Sequence, residues 1–229
     1  MRKNIMPGSL KNFRDRAGYC GAVLATICFL LFFPAQFAYA GEPTEQMKQS
    51  IDSVLAVLKN KALKGHGKTA ERRAAIRKIV YGRFDFREMS KRALSFHWRK
   101  RTPQERKEFV SLFARLLEAA YIEKIERYSG EKIVYVDESV DDGYAEVRTK
   151  VITGTGSAIP INYLLLREGA KWMVYDVKIE GISLIENYRT QFEEIISSSS
   201  YKDLVKKLKE KVNSIKISRK TGPFFIAPA

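Results

Sequence analysis

Two histidines and two cysteines are the whole supply of thiol and imidazole groups in this chain, and their positions narrow the chemistry open to it. Cys20 and Cys28 both fall in an N-terminal apolar run that reads as a removable leader, so the remaining chain offers no thiolate nucleophile and no thiolate metal site. His66 stands between Gly65 and Gly67 in an expected loop, where a turn residue fits better than a ligand. His97 adjoins Trp98 in a basic stretch, and two isolated histidines do not make a metal set of the usual spacing. The carboxylate best placed for acid–base work is Asp176, set among Val174, Tyr175 and Val177. Buried there, it would be a candidate general base. The same position more readily suits an aspartate that is hydrogen-bonded at a strand end, and both readings stand at this point.

The leader is read from three successive features. Arg2, Lys3, Lys11, Arg14 and Arg16 precede an apolar run over 19–33, and Ala38-Tyr39-Ala40 follows with small residues at the first and third places. This is the layout of a secretory signal, with cleavage expected after Ala40. The run ends at Pro34 and falls short of the roughly 20 apolar residues of a spanning helix. A lipid-anchored start fits less well, because Ile27 precedes Cys28 where a small residue is wanted and Cys20 comes too early. The expected organisation is a leader over 1–40, one domain over 41–213 and a tail over 214–229. An exported domain without thiols has no disulfide, so its own apolar core must hold it. The chain carries a formal charge of +15, and without its first forty residues 36 basic face 25 acidic side chains. Such a field suits anionic lipid surfaces or acidic protein partners; export disfavours nucleic acid.

The elements follow from periodicity and capping. Met47, Ile51, Val54, Leu55, Leu58 and Leu63 fall at helical spacing over 44–64, opposite several lysines. A second basic helix is expected over 69–81, and Asp85 with Glu88 opens a short helix carrying Ala93, Leu94 and Trp98. Thr102, Pro103 and Glu105 combine an N-cap, a first-turn proline and a capping-box glutamate ahead of the longest helix. After Gly130 the period changes to two, over 132–137, 144–152, 158–167 and 171–179, with hairpin-length turns between. Pro160 places a strand end or bulge near the start of the third run. Ser183 and Glu186 open another helix, and a last one is expected over 201–212. Helices, four antiparallel strands, then helices make an α+β fold, with helices across one face of a curved sheet.

The sheet and the helices are both rich in large apolar residues. The third strand offers Ile161, Tyr163 and Leu165 on one side, and the fourth offers Met173, Tyr175, Val177 and Ile179. Trp98, Phe109, Phe113, Leu116, Tyr121, Tyr188 and Phe192 come from the helices. Such aromatics on a curved sheet could leave gaps, or could fill a solid core; periodicity alone does not decide.

A resemblance bears on that question. The pattern Asp85-Phe86, Met89, Leu94, Trp98, Thr102-Pro103, Arg106, Phe109, Phe113, Leu116 to Tyr121 and Tyr128-Ser129-Gly130 resembles the MlaC family, also called the toluene-tolerance auxiliary family. So does the run from Trp172-Met173-Val174-Tyr175-Asp176 through Ile182-Ser183-Leu184-Ile185-Glu186 to Tyr188-Arg189-Thr190-Gln191-Phe192. The likeness covers roughly 44–212. Ser95 stands where relatives often have glycine, and the serines over 197–200 replace a usual glycine turn. The resemblance implies a nuclear-transport-factor-like cone with extra N- and C-terminal helices. It implies a periplasmic phospholipid carrier working between an inner-membrane ABC transporter with an MCE-domain ring and an outer-membrane lipoprotein complex. The lipid would be cargo, with no catalytic residue, metal or other cofactor. Acyl tails would then line up against Trp98, Phe109, Phe113, Leu117, Tyr121, Val147, Val151, Tyr163, Leu165, Met173, Tyr175, Val177, Tyr188 and Phe192, with Arg189 placed to pair with the phosphate. Two other readings remain: a cone-fold enzyme using Asp176 on a small apolar substrate, and a ligand-free adaptor with a filled core.

Overall fold

The computed structural model describes residues 42–221; the expected leader and the end of the tail lie outside that range. Four helices come first: α1 (Glu42–Lys59), α2 (Thr69–Tyr81), α3 (Phe86–Leu94) and α4 (Pro103–Glu126). Short 3-10 turns, Lys61–Leu63, His66–Lys68 and Ser95–Lys100, join them. The sheet follows as β1 (Lys132–Asp141), β2 (Tyr144–Ile152), β3 (Ala158–Glu168), β4 (Lys171–Ile179) and β5 (Ile182–Ser183), and then α5 (Leu184–Ser198) and α6 (Tyr201–Thr221). All neighbouring strands are antiparallel in the order β1-β2-β3-β4-β5, an open α+β meander.

The capping signals act as their chemistry dictates. Thr102 Oγ1 accepts from the Glu105 amide at 3.2 Å while Glu105 returns a bond to the Thr102 amide at 2.8 Å, so both halves of the capping box form. Asp85 Oδ1 accepts from the amides of Arg87 and Glu88, opening α3. Glu88 itself turns outward to Lys91 and Arg92. Ser95 closes α3 at φ 49°, a conformation that suits glycine better than any side chain.

Three features depart from the expected layout. β1 runs to Asp141 rather than 137 because a bulge between Tyr135 and Asp137 takes up Val136 and lets pairing resume. β5 is an added strand of two residues, turned off β4 by Glu180 and Gly181, both at positive φ. Helix α6 continues past Ser214 to Thr221. Pro160 sits exposed near the start of β3, opposite Lys150.

Most of the buried apolar residues form two clusters. In the helical cluster, Phe109, Phe113 and Phe192 interlock with centroids 5.4–5.9 Å apart, and Tyr188 meets Phe113 edge-on at 5.2 Å. The second cluster joins Met47 of α1 to Ala145, Val147, Leu165, Trp172, Val174 and Val177 of the sheet. Phe84 packs against both and bridges to Val174.

Candidate functional site

Strand register assembles the floor of the site row by row. Ile133 pairs with Val151 and Val151 with Ile159; Ile161 pairs with Ile179 and Tyr163 with Val177. Because side chains alternate across a strand, these residues all face the helices. Above them α1 presents Met47, Ile51, Val54, Leu55 and Leu58, one stripe of an amphipathic helix. α2 adds Ile76, Ile79 and Val80, and α4 adds Leu117, Tyr121, Ile122 and Ile125. Met47 near the start of α1 packs onto the sheet, but farther along α1 the helices and the sheet floor stand apart. Between them lies a cavity of about 610 Å³, within the roughly 300–1,000 Å³ of ordinary ligand sites.

Its wall is overwhelmingly aliphatic and aromatic, with polar groups at the margins. Exposed Lys124 and Arg127 mark the rim where α4 ends, beside Tyr128, Glu131 and Thr153. Arg77 and the exposed Tyr81 mark another stretch of rim on α2. Deep on the floor, burial pushes the Tyr163 phenol up to about 12, so it stays protonated. Its hydroxyl has no hydrogen-bond partner among the described residues.

The roof is tied down by charge. Glu126 of α4 accepts from Arg72 Nε at 3.0 Å and from Arg73 Nη2 at 2.6 Å, and Arg77 Nε reaches Glu118 at 2.8 Å. Burial alone would raise the Glu126 carboxyl, but the hydrogen bonds and charges of Arg73 and Arg72 outweigh it and hold the group below its ordinary value.

Of the residues expected to line such a space, Leu117, Tyr121, Val151, Tyr163 and Val177 are on the wall. The others lie elsewhere. Trp98, Phe109, Phe113 and Phe192 are buried in the helical cluster, with Tyr188 packed against it, because their rings find one another and close the space between α3, α4 and α5. Val147 and Leu165 are fully buried in the sheet cluster beneath Met47 and Trp172. Met173 and Tyr175 fall on the opposite face of β4, where Arg92 stacks 4.0 Å over the Tyr175 ring. Arg189 pairs with Glu186 on the exposed side of α5. The aliphatic residues of α1, α2 and the sheet ends were not singled out by sequence, although the α1 stripe was the signal that pointed to them.

Asp176 does not face the cavity. Only 7% exposed, it accepts from the amides of Val177 at 2.7 Å and Ile185 at 3.0 Å and from the Ser183 hydroxyl. These bonds seat the start of α5 on β4, which is the strand-end role weighed above, and they leave the carboxylate no aim at a substrate. His97 Nε2 lies 2.9 Å from Glu193 and ties the Ser95–Lys100 turn to α5. Among the described residues no group of acids, histidines or cysteines could hold a metal, and no helix is long and apolar enough to cross a membrane.

Fold and site together define an α+β protein organised around an apolar cavity, a class set by the shape of its interior rather than by a catalytic constellation. Residues 48–210 match the MlaC protein family, and the chain belongs to it. It is 25% identical over 124 residues to the intermembrane phospholipid transport system binding protein MlaC of Haemophilus influenzae, a match covering 52% of this chain and 58% of that protein. It is 33% identical over 95 residues to the toluene tolerance protein ttg2D of Pseudomonas putida, covering 41% of this chain and 44% of that one. The alignments thus span about half the length of these relatives. A phospholipid-binding protein from Ralstonia solanacearum, solved in complex with a phospholipid, shares the fold with a TM-score of 0.69 at 24% identity, over 77% of this chain and 99% of that one.

Proposed function

We propose that this chain is a periplasmic phospholipid carrier, with acyl tails held in the cavity between the sheet and helices α1, α2 and α4. The observation that carries the reading is the cavity itself, walled almost wholly by aliphatic and aromatic side chains and bearing Lys124 and Arg127 at its rim. A diacyl lipid hides about 30 methylenes from water at roughly 0.8 kcal/mol each, so it crosses an aqueous gap only inside a substitute for the bilayer. A wall of Ile, Val and Leu offers that substitute without directional bonds, which suits a carrier that must also unload. The phosphate would rest at the rim near Lys124 and Arg127. The names of the relatives support phospholipid as the cargo. In this reading the carrier exchanges lipid with an outer-membrane lipoprotein complex and with an inner-membrane ABC transporter bearing an MCE-domain ring, which drives net flow.

Native mass spectrometry of the gently purified full-length protein tests the reading. The wild type is expected to carry intact phospholipid, and Ile161→Trp, which fills the cavity from its floor, is expected to carry none while keeping its circular dichroism. Wild-type protein that is free of lipid would contradict it.

A further inference from the structure

Arg83 is the anomaly of the cavity wall. Every other arginine that links two elements around the cavity meets a carboxylate: Arg72 and Arg73 meet Glu126, and Arg77 meets Glu118. Arg83, half-buried between α2 and α3, donates only to neutral acceptors. Its Nε reaches Ser50 Oγ at 2.8 Å, and its Nη1 reaches Gln46 Oε1 and the Trp172 carbonyl, each at 2.7 Å. Nη2 has no protein partner among the described residues. Burial lowers the guanidinium's pKa, and no carboxylate offsets that cost. A charge taken out of water is ordinarily paired, and this one stands on the wall beside Ser50 and Met47, at the α1 start of the cavity, with no carboxylate among its hydrogen-bond partners. The rim cations are Lys124 on the last turn of α4 and Arg127 at its C-cap, next to Tyr128, over whose ring Lys59 at the far end of α1 sits.

We infer that Arg83 is an internal anion anchor, and that the cavity accepts a long-chain carboxylate lying with its head against Arg83 Nη2 and its tail running toward the rim. A carboxylate suits this end better than a phosphodiester. It presents two oxygens to a planar donor fork and ends there, whereas a phosphodiester is substituted on both sides and would have to pass the buried side chains of Met47, Trp172 and Val174. The inference uses the acyl-binding cavity of the proposed function but adds a second ligand class in the opposite orientation.

The test is competition for the delipidated full-length protein, with Nile red displaced by dodecanoate, dodecan-1-ol or the phosphodiester methyl dodecyl phosphate. Dodecanoate is expected to bind about tenfold more tightly than the alcohol, the effect of one charge-assisted hydrogen-bonded pair. Arg83→Met is expected to bring that ratio to about one while leaving the alcohol's affinity in place. In the wild type, the Arg83 Nε resonance should shift with dodecanoate and not with the alcohol, a readout that holds even if the variant fails to fold. A wild-type ratio near one, a ratio that survives Arg83→Met, or tighter binding of the phosphate than of the carboxylate overturns the inference. Phospholipid retained by native mass spectrometry alongside any of these results would leave the carrier reading standing, and loss of both phospholipid and Nile red binding would sink the carrier reading itself.

Discussion

The two halves of this interior are built from different residues and end in different states. Between α3, α4, α5 and α6, rings of Phe109, Phe113, Tyr188 and Phe192 pack against one another, several edge to face, and form a buried aromatic core. Between α1, α2, α4 and the sheet, branched aliphatics face one another across a gap of about 610 Å³. Large aromatics reach across an interhelical space and lock it. Short β-branched side chains on a sheet cannot reach a helix layer held farther away. The means of holding differs accordingly. α5 and α6 combine apolar packing with polar ties through Asp176, His97–Glu193 and Lys209–Glu108, whereas α2 is linked to α4 by Arg72, Arg73 and Arg77 on Glu126 and Glu118.

The sharpest way to break this contrast is to remove a ring. Phe113, with no exposed surface, is expected to cost about 3–5 kcal/mol as Phe113→Ala, measured by denaturant unfolding. A loss below 1 kcal/mol would mean that the helical half is as open as the other. Next in size is the roof. Glu126→Gln is expected to destabilise α2 by about 1.5–3 kcal/mol, seen as faster amide exchange over residues 69–81 with α3 to α6 unchanged. The same carboxyl gives the contrast a pH signature. Its folded pKa is held below the unfolded value of about 4.3, so its contribution is complete above that value and is lost as pH falls through the folded pKa. Exchange in α2 should therefore rise in acid before the aromatic half loosens, and Glu126→Gln should abolish that step. The smallest effect belongs to the floor. Ile159→Ala is expected to cost about 1 kcal/mol or less, because the deleted carbons face the gap and Ile159 belongs to neither buried cluster.

Much of the scaffold was legible because capping and alternation are local. Thr102, Pro103 and Glu105 fix the start of α4, and the change of period after Gly130 announces the sheet. Two paired residues of β5 are too few to alternate, and the bulge at Val136 hides half of β1. The site was less legible for a different reason. Periodicity names the face a side chain takes but not the distance to the layer opposite. It put Tyr163 and Leu165 alike on one face of the third strand, and only the packed fold separates the open space beside the first from the filled space around the second. Size drew attention to the aromatics, which fill space, and away from Ile51, Val54, Ile159 and Ile179, which bound the gap.

The most direct test of the account places a photoreactive benzoylphenylalanine at Tyr163 in one protein and at Phe113 in another, with both irradiated after loading with phospholipid. The account predicts a covalent adduct to an acyl chain at position 163 and none at 113. Crosslinking at 113 with none at 163 would put the lipid in the aromatic half and contradict it.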